Sequence, residues 1–149
     1  MSQCNAVLIY GTKMGVELSA SGIPVIVAGE AWIRGKGVTL DAMSEADYFR
    51  LLDALPLATK LDEAARERAL KYAYHFFFRR MIPLDCVKER KGWPPFEVAI
   101  GDLADLSPGK SRGLDVICEG ILFGRPFIYP AEEEFAGTTY KGSPACESA

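Results

Sequence analysis

The chain has 149 residues, 49% hydrophobic and 25% charged, a length and balance that suit a soluble globular domain with a real core. Lysine and arginine number 17 against 20 acidic residues, for a net charge of −3, so no general attraction for nucleic acid is expected. No apolar run approaches the ~20 residues that cross a bilayer.

Cys4, Cys86, Cys118 and Cys146 are scattered, and His75 is the one histidine. Zinc sites need clustered ligands, so no metal is expected and the cysteines read as free thiols. The N-terminus lacks the basic and apolar regions of a secretory signal, which points to a cytoplasmic protein.

Ala6 to Tyr10 is a short apolar run of the kind found in strands buried on both faces of a parallel sheet. Gly11 breaks it. Met14 to Ser21 reads as a helix closed by Gly22, and Val25 to Ala28 as a second buried strand. Strand, short helix and strand predict a βαβ unit with a right-handed crossover. A helix N-terminus at this turn favours an anionic phosphate. Thr12 offers a hydroxyl, Lys13 a charge, Gly15 room for close backbone approach and Glu17 an acceptor for ribose hydroxyls. The same residues also suit an ordinary N-cap, a packing glycine and a solvated carboxylate.

Trp32 to Thr39 is glycine-punctuated (Gly29, Gly35, Gly37) and reads as a loop. Its Arg34 and Lys36 suit either a flexible basic cover over phosphates or a solvated turn. Ser44-Glu45-Ala46-Asp47 is a capping pattern opening a helix with a stripe of Phe49, Leu52 and Leu55, ended by Pro56. A second pattern, Thr59 to Asp62, opens a longer helix to Arg80. Its face of Leu61, Ala65, Ala69, Tyr72, Ala73 and Phe76 is expected to be buried, and its charged middle to be solvated. Tyr72, Tyr74, Phe76, Phe77 and Phe78 wrap the end of this helix, so every side needs cover, from another domain or from the C-terminal third. His75 reads as a packed residue, and no catalytic base is assigned.

Gly109-Lys110-Ser111 is no P-loop, because Ala104 stands where the leading glycine belongs. Glu119 to Tyr129 echoes Glu17 to Val27: a helix ending at glycine, then proline and a strand-like run. Glu132-Glu133-Glu134 and the tail from Gly137 read as solvated.

Tyr10 to Glu17, followed by Gly22-Ile23-Pro24-Val25 and on to Gly29, resembles the donor-site signature of the capsule polysaccharide biosynthesis family. The loop from Gly29 to Thr39, the run Tyr72 to Leu84 and the run Gly113 to Leu122 continue the likeness in order. Thr12-Lys13 departs from the hydroxyl pair common in that turn. The resemblance implies an α/β fold: a Rossmann-like parallel sheet flanked by helices, as in the C-terminal half of a two-domain B-type (GT-B) glycosyltransferase. Residues 1–84 would form the nucleotide-sugar-binding region, ending in the aromatic helix. Residues 85–149 would add an extension with a loop and a further helix-strand unit.

The implied substrates are a nucleotide sugar and a polysaccharide or glycolipid acceptor, the latter held by an N-terminal domain or partner chain, at the inner face of the cytoplasmic membrane. Residues Thr12, Lys13, Gly15, Glu17, Arg34 and Lys36 would bind the donor. No Asp-x-Asp occurs, so transfer without a metal or other cofactor is expected. A nucleotide-sugar epimerase on the same fold and a non-catalytic assembly module are the rival readings.

Overall fold

The computed structural model describes residues 4–137. Cys146 and the tail beyond Gly137 lie outside the described residues. The chain divides between His75 and Phe76 into two compact units.

The first unit is mixed α/β, built on a small parallel sheet. Strand β1 (Val7–Ile9) pairs with β2 (Val25–Val27), and β2 pairs with β3 (Leu40–Asp41), in the order β1-β2-β3. Val7 stands opposite Val25 and Ile26 opposite Leu40. The apolar run of β2 is buried along its whole length. The expectation of burial on both faces fails for β1. Among the described residues it pairs on one side only, and Ile9 faces the helix that follows it. Leu8 therefore points to the other face, where it is 47% exposed.

Helix α1 (Met14–Ala20) returns the chain from β1 to β2. It stops at Gly22, whose φ of 78° favours glycine. There the amide of Gly22 donates to the Ser19 carbonyl and that of Ile23 to the Leu18 carbonyl, satisfying the last turn. Helix α2 (Glu45–Asp53) is capped by Ser44, whose hydroxyl accepts from the Asp47 amide at 3.1 Å. Its buried side carries Leu51, packed with Ile26 and Ala42, and Tyr48 covers the cluster. The expected stripe of Phe49, Leu52 and Leu55 is thus one position out of phase, and Phe49 is exposed. A one-residue step turns a helix face by about 100°.

Helix α3 (Glu63–Tyr74) begins at Asp62, whose carboxylate accepts from the Ala65 amide at 2.6 Å, rather than at Thr59. Its buried residues are Ala65 and Ala69, small enough for close packing on α1. From His75 to Arg80 the helix widens to π-helical turns.

In the second unit β4 (Val87–Glu89) and β5 (Phe96–Val98) form an antiparallel hairpin. Helix α4 (Arg112–Phe123) starts at Ser111 and ends at Gly124, with φ of 66°. The run after Pro126 joins no ladder and turns tightly, the Ile128 amide donating to the Pro126 carbonyl, so the strand expected there is absent among the described residues. Its anchor is the Tyr129 amide, which donates to the Arg79 carbonyl at 2.7 Å. The last helix, α5 (Ala131–Phe135), packs Ala131 with Val116 and Tyr129. Within the second unit Phe78 meets Phe135 edge-on at 5.6 Å and stays 47% exposed, so this contact covers only part of the aromatic segment.

The three glutamates of α5 are exposed, as expected, and each also meets a partner. Glu132 lies 3.4 Å from Arg79, Glu133 lies 4.0 Å from Arg112, and Glu134 accepts from the Tyr129 hydroxyl. Burial first, and then the Glu134 carboxylate, push the Tyr129 phenol up to about 12.

Two outcomes test this packing. A Cβ at position 113 would come within 1.8 Å of the Pro83 carbonyl oxygen. Gly113→Ala should therefore destabilise the second unit by about 3 kcal/mol, the upper end of ordinary overpacking, in denaturant unfolding. The raised phenol favours the protonated native state, so its contribution is complete below the unfolded value of 10 and is lost as pH rises from there to about 12. Tyr129→Phe should flatten the fall in stability across that window in alkaline melting curves.

Candidate functional site

Parallel strands leave their carboxyl ends side by side, and ligands of such sheets bind in the crevice beyond them. Here β1 exits into Tyr10-Gly11 and β2 into Ala28-Gly29. The two exits run against each other. A Cβ on Gly11 would meet the Glu30 carbonyl oxygen at 2.7 Å, and one on Gly29 would meet the Tyr10 ring at 2.6 Å. Glycine at both positions lets the two segments lie this close.

Above this crossing opens a cleft of about 420 Å³, lined by Gly11, Thr12, Lys13 and Val16 on one segment and by Glu30, Ala31, Trp32 and Ile33 on the other. Trp32 is 71% exposed, and the Tyr72 hydroxyl fixes its backbone by donating to the Trp32 carbonyl at 2.8 Å. The cleft thus offers a cation, a hydroxyl, a carboxylate and a large aromatic face. That set suits a molecule with a phosphate, vicinal hydroxyls and a flat ring.

The structure brings Thr12 and Lys13 together and separates the other expected residues. Lys13 is the N-cap residue of α1, and the Thr12 hydroxyl lies 3.4 Å from the Met14 amide. The next amides are already bonded, Gly15 to the Thr12 carbonyl and Val16 to the Lys13 carbonyl. With seven residues α1 also has little dipole to offer, so charge in the cleft comes from Lys13.

Gly15 is buried. A Cβ there would lie 2.5 Å from Ile9 Cδ1, so its freedom serves packing. Glu17 lines a separate cavity of about 440 Å³ with Cys4, Ser21 and Lys60.

Arg34 lies between strand exits. Its guanidinium donates to the carbonyls of Gly29, at 3.0 Å, and Ala42, and approaches that of Val27 at 3.5 Å. It also lines a third cavity with Glu30, Ser44 and Tyr48, again about 420 Å³. Lys36 is exposed and lines none of the three.

The loop, read as either a flexible cover or a solvated turn, is tied down in part. Ile33 and Val38 are buried, and Asp41 accepts from the Gly35 amide and the Thr39 hydroxyl at 2.7 and 2.6 Å. Glu30 escaped the sequence reading as a site residue. Its signal was a carboxylate directly after a strand and a glycine.

Among the described residues no group of three or more His, Cys, Asp or Glu is placed to hold a metal ion. No helix of the described residues is long and apolar enough to cross a membrane. Comparison with protein-family models, curated proteins and solved structures finds no match.

Arg34→Met should strand the Gly29 and Ala42 carbonyls and lower stability by about 2 kcal/mol, since hydrogen bonds to a charged group are individually worth about that much. Arg34→Lys should recover little, because an ammonium lacks the planar fork that reaches both exits. Thermal melts of the two variants check this.

Proposed function

We propose that the first unit binds the nucleotide of an activated sugar, as the donor half of a glycosyltransferase in capsule or surface polysaccharide synthesis. The observation that carries the reading is the cleft shared by Lys13 and Trp32 at the carboxyl ends of β1 and β2. The sheet is then the core of a Rossmann-like region of GT-B type, consistent with the resemblance of Tyr10–Gly29 to the capsule polysaccharide biosynthesis family.

In this reading the Lys13 ammonium and the Thr12 hydroxyl meet the phosphate, the Trp32 ring stacks on the base, and Glu30 accepts from ribose hydroxyls. As the glycosidic bond to the departing nucleotide breaks, negative charge gathers on the phosphate oxygen. A fixed cation beside it stabilises that charge more than it stabilises the bound donor. Arg34 acts indirectly, by holding the segment that carries Glu30 and Trp32. The acceptor, a polysaccharide or glycolipid, and the base that activates it belong to a domain or chain outside these residues. The assembly works at the inner face of the cytoplasmic membrane.

Calorimetric titration of the full chain with CMP, UDP and their sugars tests the proposal. Lys13→Ala and Trp32→Ala should each weaken binding by about tenfold, on the order of 1.4 kcal/mol. Glu17→Ala, in another cavity, should leave it unchanged. Absence of binding by every nucleotide, or affinity indifferent to Lys13 and Trp32, refutes the donor site and favours an assembly module.

A further inference from the structure

We infer that the β4–β5 hairpin is a docking element for an anionic lipid surface. The inference rests on the second unit alone and stands whether or not the cleft binds nucleotide.

The segment Phe96-Glu97-Val98-Ala99-Ile100 alternates apolar and small or polar residues, the pattern of a strand with one buried face. That face is not buried. Phe96, Val98 and Ile100 are 54%, 64% and 42% exposed, and Val87, opposite Val98, is 41% exposed. All six residues of the two strands are exposed. A two-stranded hairpin with neither face covered is marginal in water, so this apolar face calls for a partner.

The chemistry of the tip selects the partner. The Arg90 amide donates to the Pro95 carbonyl at 3.1 Å, closing a short loop that holds Lys91, Gly92, Trp93 and Pro94. Trp93 stands out at 89% exposure. Lys88 stands across the ladder from Glu97, and Arg90 and Lys91 lie beside Trp93 in sequence, with Glu89 the one acidic residue at the tip. Tryptophan and arginine also occur in protein–protein interfaces, but lysine is depleted there. Tryptophan set among lysine and arginine is the pattern of a membrane interface, where the indole sits at headgroup level and the cations meet lipid phosphates.

A basic tip on a chain of net charge −3 is complementary to anionic headgroups although the chain as a whole is not. Glu89, opposite Phe96 at the loop end, limits the depth of entry. The hairpin lies at the interface and does not cross it.

Co-sedimentation of the full chain with vesicles tests this, using phosphatidylcholine alone and phosphatidylcholine mixed with phosphatidylserine. The wild type should bind the mixed vesicles and lose binding as salt is raised. Arg90→Glu with Lys91→Glu should weaken that binding by about tenfold or more. Trp93→Ser should also weaken it, while all these exposed changes leave the circular dichroism spectrum and melting temperature unaltered.

Equal sedimentation with both vesicle types, or binding indifferent to these substitutions, overturns the proposal. So does a concentration-dependent dimer that Trp93→Ser abolishes, because the face would then belong to a second copy.

Discussion

Everything at the site depends on the burial of β2. Val25, Ile26 and Val27 lie between β1 and β3 with almost no exposure, and their parallel pairing puts three strand ends on one side of the sheet. From that follow the crossing of Gly11 and Gly29, the cleft above it and the tie that Arg34 makes between the exits of β2 and β3. Were β2 antiparallel to β1, the Thr12-Lys13 turn and the Glu30-Trp32 segment would emerge at opposite ends of the sheet.

The two cationic residues that flank this region divide the work. Arg34 can engage several backbone carbonyls because its guanidinium is a fork of five donors, and it spends them holding the chain. Lys13 is a compact cation lining the cleft, the one that the proposed reading sets against a phosphate. In that reading a phosphate would be held by the side chain more than by helix amides, because Gly15 and Val16 already donate to their own turn.

The crossover from Val7 to Val27 was legible in the sequence because continuous apolar runs and the Gly22-Ile23-Pro24 stop leave few alternatives. The small size of the sheet was not, and neither was the marginal place of β1, since a run such as AVLIY reads alike at the centre or the edge. At the site the turn residues were visible, but the separation of Glu17 from Lys13 was not. Periodicity does not report which side of a short helix meets a cleft. Arg34 illustrates a further limit: its carbonyl partners come from strand exits that only the folded sheet brings together. The Phe127–Tyr129 run shows that glycine and proline punctuation alone do not make a strand, because pairing needs a neighbour.

Heteronuclear NMR of the full chain during addition of UDP or CMP bears most directly on the central claim. The account predicts that the amides of Gly11, Thr12 and Lys13 and the indole of Trp32 move together in one saturable process, while those around Glu17 and Lys60 stay in place. Shifts confined to the Glu17 cavity, or spectra unchanged at saturating nucleotide, would contradict it.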